Sequence, residues 1–224
     1  MPVCQFYFLI NYGIIVWLKT CRKEDEMSPM ECGHLVLASK SPRRCELLTR
    51  FGIPFETFAP EVDESCSLPA GEAVEVLSRR KALATASRFR DAFILAADTL
   101  VSLNGEALGK PSGSEEAFRM LSRLSGRTHQ VFTGVTVIPP SGEVFTASDR
   151  TDVTFCDIPD EEIRSYVATG DPLDKAGAYA LQGRAALWVT RIEGCDTSVI
   201  GLPLYLVRRL LIRAGYPLAA AQHH

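Results

Sequence analysis

The chain has 224 residues, 46% hydrophobic and 23% charged, with 16 Gly and 13 Pro, an ordinary globular composition that excludes collagen, low-complexity disorder and a charged tail protein. This length allows one large α/β domain or two small ones. The net charge of −3, from 24 basic and 27 acidic residues, advertises no nucleic-acid surface, so a polyanionic ligand must be met by a local basic cluster.

Residues 3–18 carry no charge. The run is shorter than the roughly twenty apolar residues of a spanning helix. It also lacks the basic start and small-residue cleavage site of a signal peptide. Lys19, Arg22 and Lys23 follow it, and Met27 and Met30 lie just before the first clean strand. A short membrane anchor, an extra apolar element and translated upstream sequence all remain open. Membrane contact is expected only if residues 3–18 are a genuine segment. The chain divides into a doubtful extension (1–30), a single domain (31–216) and a loose tail (217–224).

Residues 34–39 read as a buried strand. Ser41 then caps a helix whose first position is Pro42 and which Gly52 ends. Residues 53–59 alternate as a strand, and a helix is expected over about 72–90. The buried strand 93–97 ends at Asp98, and a hairpin turns at Asn104-Gly105. An amphipathic helix covers 114–124, followed by long strands over 128–138 and 143–156 that are joined through Pro139–Gly142. A helix over 160–168, a Gly-rich loop over 170–184, a strand over 185–193 and a helix from Pro203 to Ala214 complete the pattern. Strands and helices are intermixed, so the class is α/β with a mixed sheet.

Ser41-Pro42-Arg43-Arg44 places two arginines at the start of a helix, where the dipole prefers acids. Such a break of a local rule is expected where function compensates, and a bound phosphate chain would do so. No P-loop pattern occurs. Asp98-Thr99 follows an apolar strand, in the region where open α/β sheets gather ligands. Asp63 and Glu64, together with Asp98, offer the oxygen ligands that a hard divalent cation takes. Lys81, Lys110 and Lys175 are separated cations, with Lys110 fixed between Gly109 and Pro111. Gln182, in the small-residue run 174–183, has the donor and acceptor needed to read a base edge. Each of these also has a plain structural reading, as a solvated turn, a strand-end acid or a loop cap. His129 reads as a structural histidine, and no Ser-His-Asp or Cys-His set stands out. Seven scattered cysteines without a C-x-x-C pair speak against a zinc site or a disulfide framework and suit reduced thiols in a cytosolic protein.

LASKSPRRCELL, VDES, Arg80-Lys81-Ala82, ILAADTLV, LGKP, LSGRTHQVFTGV and DKAGAYALQG, then IEG and VIGLPL, occur together and in order over residues 34–213. The set resembles the Maf family of nucleoside triphosphate pyrophosphatases, and the DKAGAY…QG form resembles its dTTP/UTP branch. That resemblance implies an inosine triphosphatase-like fold, a curved mixed sheet flanked by helices with a cleft between two lobes. It implies cleavage between the α and β phosphates with Mg²⁺ or Mn²⁺, a cytoplasmic enzyme and a homodimer. Asp98 matches the family's proton acceptor, and Arg43, Thr99 and Gln182 match positions that set substrate choice. Ser41, Arg44, Glu64, Lys81 and Lys110 match other polar cleft positions, with Glu64 and Asp98 near the metal. Relatives often carry an aromatic residue after IEG, and Cys195–Ser198 has none. A pyrophosphatase of the 7-methyl-GTP type and a non-catalytic regulator linked to cell division are the alternatives.

Overall fold

A computed structural model describes residues 33–218, so the apolar run at 3–18 and most of the expected tail lie outside the described residues. Seven strands and six helices are intermixed along the described chain. The strands are β1 (Leu35–Ala38), β2 (Glu56–Phe58), β3 (Phe93–Leu103), β4 (Glu106–Leu108), β5 (Thr128–Ile138), β6 (Phe145–Phe155) and β7 (Val189–Glu193). The helices are α1 (Pro42–Arg50), α2 (Ala70–Ala86), α3 (Ser114–Leu124), α4 (Asp160–Val167), α5 (Asp196–Ile200) and α6 (Leu204–Arg213). They assemble on one sheet of order β2-β1-β3-β5-β6-β7, with β4 attached to the far end of β3. β1 runs parallel to β2 and β3, and the remaining pairs are antiparallel, so the sheet is mixed.

β3 organises the molecule. All but its two end residues pair with β5, from Ile94↔Ile138 to Ser102↔Gln130. On its other edge β1 pairs only with residues 93–95 and β4 only with 101–103. The strand therefore does not end at Asp98, as the sequence suggests. Continuous pairing to β5 carries it through Asp98 and Thr99 into the hairpin. Between β1 and β4 a stretch of β3 has no strand beside it, and this gap separates two lobes.

Side chains of β3 alternate between the two faces of the sheet. Ile94 and Ala96 pack with Val36, Ala38 and Ala82 under α2. Leu95 and Ala97 face the opposite side, against Leu47 and Leu48 of α1 and Val207 and Leu210 of α6. Val101 and Leu103 continue that second face beneath α3 and α4, where Leu121, Leu124, Ile163 and Tyr166 are buried. The periodicity of α3 explains its seat: Ala117, Met120, Leu121 and Leu124 form one apolar stripe. On the α2 face, Gly134 of β5 lets the helix lie close. A Cβ there would collide with the backbone carbonyl oxygen of Val74.

Other boundaries move for physical reasons. α2 starts directly after Pro69 and ends at Ala86, and the strand expected over 53–59 pairs only at Glu56–Phe58. Residues 184–188 form a 3₁₀ turn that buries Trp188, leaving only Val189–Glu193 as strand. A short helix, Asp196–Ile200, occupies what reads as loop. Leu218, at the start of the expected tail, packs against the α1–α6 cluster.

Candidate active site

A cavity of about 680 Å³ follows the gap in the sheet edge. It is lined by the nine side chains matched to the family's cleft positions, Ser41, Arg43, Arg44, Glu64, Lys81, Asp98, Thr99, Lys110 and Gln182, and by Lys175, but not by Asp63. Lys40, Arg43, Arg44, Lys81, Lys110 and Lys175 outnumber Glu64, Asp98 and Asp174 in its wall. A chain of net charge −3 thus concentrates positive charge in one cleft.

The α1 end of the cleft is built by the turn after β1. Ser41 sits at the N-cap of α1 with φ −69° and ψ 116°, but its hydroxyl makes no capping bond. The capping role read from the sequence is therefore corrected. Buried Ser39 organises the turn instead: its Oγ accepts from the Ser41 backbone N–H at 3.1 Å and from Arg44 Nη1 at 3.3 Å. The α1 N-terminus keeps its free first-turn amides at the cavity wall, an arrangement that favours an anion. Among the described residues, Lys40 and Arg43 make no hydrogen bond or ion pair, so their donors are available to a ligand. Lys40 was not singled out from the sequence. Its only signal there is its place between Ser39 and Ser41 at a strand-to-helix turn.

Arg44 behaves differently from Arg43. Its Nε donates to the Gly201 carbonyl at 2.7 Å and its Nη2 to Thr99 Oγ1 at 3.1 Å. Burial lowers its pKa from the ordinary guanidinium value. With three N–H groups spent on the protein, Arg44 ties α1 to β3 and to the turn before α6, and has only part of its fork left for a phosphate.

On the α2 face, Lys81 joins the two carboxylates. Its Nζ lies 2.5 Å from Asp98 Oδ1 and 2.7 Å from Glu64 Oε1, while Lys110 Nζ is 4.0 Å from Glu64 Oε2. Lys81 and Asp98 are nearly buried, and Glu64 is half exposed. The hydrogen bond from Lys81 holds the Glu64 carboxyl below the usual carboxylate range. Arg80, the neighbour of Lys81, donates to the backbone carbonyls of Asp63 and Ser65 at 3.1 and 2.8 Å. One helical step thus anchors both the Glu64 loop and its side chain. Asp63, the other acid of the pair read from the sequence, turns back to accept from the Ser65 backbone N–H and hydroxyl, and these bonds lower its pKa.

The loop after α4 closes the other side through 3₁₀ turns at Asp171–Asp174 and Ala176–Ala178. Buried Lys175 donates to the Asp171 carbonyl, to Asp171 Oδ1 at 3.0 Å and to Asp174 Oδ1 at 2.6 Å. All three ammonium hydrogens stay at home, so Lys175 fastens the loop. Gly177, at φ +67°, presses onto β3, where a Cβ would lie 2.8 Å from Val101 Cγ2. Its N–H also bonds the Gly109 carbonyl at 3.0 Å, joining this loop to the Lys110 turn. Buried Tyr179 meets His129 Nε2 at 2.8 Å. Burial pushes the His129 pKa down to about 4 and raises that of the Tyr179 phenol. His129 is structural, although its Nδ1 has no hydrogen-bond partner among the described residues. Past these anchors the exposed Gln182 reaches the cavity with no hydrogen bond to the described protein.

The fold and the cleft define a class first: an α/β protein with a basic, ligand-sized cleft at a sheet edge and two carboxylates gathered on one lysine. The family follows from the comparisons. The model of the Maf-like protein family matches residues 34–214. The chain is 48% identical over 185 residues to a dTTP/UTP pyrophosphatase of Pelotomaculum thermopropionicum, an alignment that covers 81% of this chain and 97% of that protein. It is 52% identical over 184 residues to a dTTP/UTP pyrophosphatase of Moorella thermoacetica, covering 81% and 95%. The chain belongs to the Maf-like family. Among solved structures, that of a HAM1 protein from Coxiella burnetii aligns with TM-score 0.46 at 13% identity, over 80% of this chain and 98% of that one. No helix among the described residues is long and apolar enough to cross a membrane.

Proposed function

We propose that this protein hydrolyses nucleoside triphosphates between the α and β phosphates, with dTTP and UTP preferred. The observation that carries the reading is the pairing of Asp98 and Glu64 on Lys81, in a cleft whose other end holds the unpaired Lys40 and Arg43. The names of the 48% and 52% identical relatives support the choice of base.

In this reading Lys40 and the α1 N-terminus hold the phosphate chain, assisted by Ser41, Lys110 and the remaining donors of Arg44. Little covalent chemistry is asked of the protein: it aligns a water and neutralises charge. Asp98 takes a proton from the water as its oxygen bonds the α phosphorus. The α–β bridging P–O bond breaks, and pyrophosphate leaves with the electron pair. Lys81 holds Asp98 in place through their hydrogen bond. Gln182 accepts from N3–H of the base and donates to O4, while Arg43, a donor only, holds that orientation against cytosine.

Mg²⁺ or Mn²⁺ fits the donor set. Two hard carboxylates suit a cation that completes its shell with waters and substrate phosphates, and no group of three His, Cys, Asp or Glu forms a closed cage among the described residues. Glu64 and Asp98 would hold the ion, which supplies Lewis-acid neutralisation of phosphoryl charge.

The test is a screen of common and modified triphosphates with Mg²⁺ or Mn²⁺ and identification of the products. UTP should give UMP and pyrophosphate, and Gln182→Glu should weaken use of dTTP and UTP by about tenfold through the lost bond to O4. UDP with orthophosphate would overturn the bond assignment. Preference for a purine such as 7-methyl-GTP would overturn the base assignment.

A further inference from the structure

Behind the cleft lies a chain of hydroxyls that the proposed reaction does not use. Thr99 Oγ1 is 3.0 Å from Thr133 Oγ1, and Thr133 Oγ1 is 2.9 Å from the Ser198 carbonyl oxygen. Thr133 is fully buried and is not part of the cavity wall. A hydroxyl has one hydrogen and two lone pairs. The carbonyl can only accept, so the single hydrogen of Thr133 points to Ser198. Without it, two oxygens would face each other at 2.9 Å away from water. The bond between the two threonines must then use the hydrogen of Thr99. Thr99 also accepts from Arg44 Nη2, which occupies one of its lone pairs. One lone pair remains, on a residue that lines the cavity.

We propose that Thr133 is a positioning residue that fixes the Thr99 hydroxyl as an acceptor only, and that this acceptor takes the 3′-hydroxyl of the bound nucleotide. The inference rests on the substrate class proposed above. Thymidine and uridine triphosphates share two neutral donors, N3–H and the 3′-hydroxyl. With Gln182 on N3–H, the 3′-hydroxyl is the shared donor left over. A site of this kind accepts ribose and deoxyribose alike, because it makes no use of the 2′ position.

The test measures affinity rather than turnover, so that it stands apart from the reaction. Dissociation constants are measured by calorimetry for the α,β-methylene analogues of UTP, 3′-deoxy-UTP and CTP, on wild type, Thr133→Val and Thr133→Ser. Wild type should bind the 3′-deoxy analogue about tenfold more weakly than the UTP analogue, the scale of one hydrogen bond. Thr133→Val frees the Thr99 hydroxyl and should shrink that ratio below about threefold, and Thr133→Ser should restore it. Equal weakening for all three ligands, or a ratio that Thr133→Val leaves unchanged, would overturn the positioning role. A wild-type ratio near one overturns the sugar contact even if the valine variant does not fold. A change confined to the UTP-to-CTP ratio would move the acceptor to the base and overturn the sugar assignment. If wild type binds the analogues but does not cleave UTP, only the reaction proposed above fails. If it binds none of them, both fail.

Discussion

Asp98 and Thr99 are neighbours in sequence on opposite faces of one strand, and their surroundings differ in kind. Asp98 lies on the α2 face in an ionic cluster whose lysine also serves a half-exposed carboxylate. Thr99 lies on the α1–α6 face in a directional relay of neutral hydroxyls, a partly buried guanidinium and two backbone carbonyls. An ion pair tolerates small shifts and rearranges when charge arrives, whereas a relay has one hydrogen per hydroxyl and one sense. The gap in the sheet lets both faces reach the same cleft. The ionic face suits chemistry in which charge develops, and the relay face suits recognition that must not adapt.

The largest effect expected is on the ionic face. Asp98→Asn keeps an acceptor for Lys81 and removes the proton acceptor, so turnover should fall by about 10²–10⁴ with binding of an α,β-methylene nucleotide held within a few-fold. Thr99→Val should do the reverse, raising KM by about tenfold and leaving kcat within about threefold. Steady-state kinetics of the two variants checks the division directly. If both change kcat alike, the two faces are not functionally distinct.

A smaller effect tests what supports the ionic face. Gly134→Ala puts a methyl group against the Val74 carbonyl and must lift α2 from β5. We expect a loss of about 1–3 kcal/mol by urea unfolding, the scale of overpacking. Turnover should suffer more than nucleotide affinity, because Lys81 rides on α2.

An effect on stability alone, and not on turnover, concerns the base of the loop that carries Gln182. The folded-state pKa of His129 is about 4, below its unfolded value of about 6.5. Between these values the unfolded chain binds the extra proton, so stability falls as pH falls through that window. The His129 share of the loss from pH 7 to pH 5 is about 2 kcal/mol. His129→Phe should remove that share of the slope, measured as urea-unfolding stability at the two pH values. An unchanged slope would show that His129 does not titrate between the two states.

Much of the cleft lining was legible because its members break local rules: arginines at a helix start, an acid after an apolar strand, a lysine fixed between Gly and Pro. How they divide the work was not legible. Arg43 and Arg44 are adjacent, yet only contacts with Thr99 and with Gly201, 157 positions away, make Arg44 a tie rather than a free cation. Thr133 lies inside the LSGRTHQVFTGV segment, but its role was not legible there, since it depends on Thr99 and Ser198, at separations of 34 and 65 residues. The fold followed hydrophobic periodicity well, as in α3 and β5. It departed from that reading where pairing overrides local pattern, as when β5 carries β3 through Asp98. It departed again where elements are too short to show a period, as in Asp196–Ile200.

The gap beside β3 has a consequence for assembly. Residues 96–100 form a strand edge in the middle of a sheet, and free edges can recruit strands from other chains. This one is shorter than the roughly six-residue segment that cross-β stacking uses, and β1 and β4 stop it at either end. Asp98 stands at its centre with Lys81 against it, so an incoming backbone would have to displace a nearly buried ion pair. The opening that admits a small ligand is thereby closed to another strand, and the molecule keeps a permanent break in its sheet without a sticky edge.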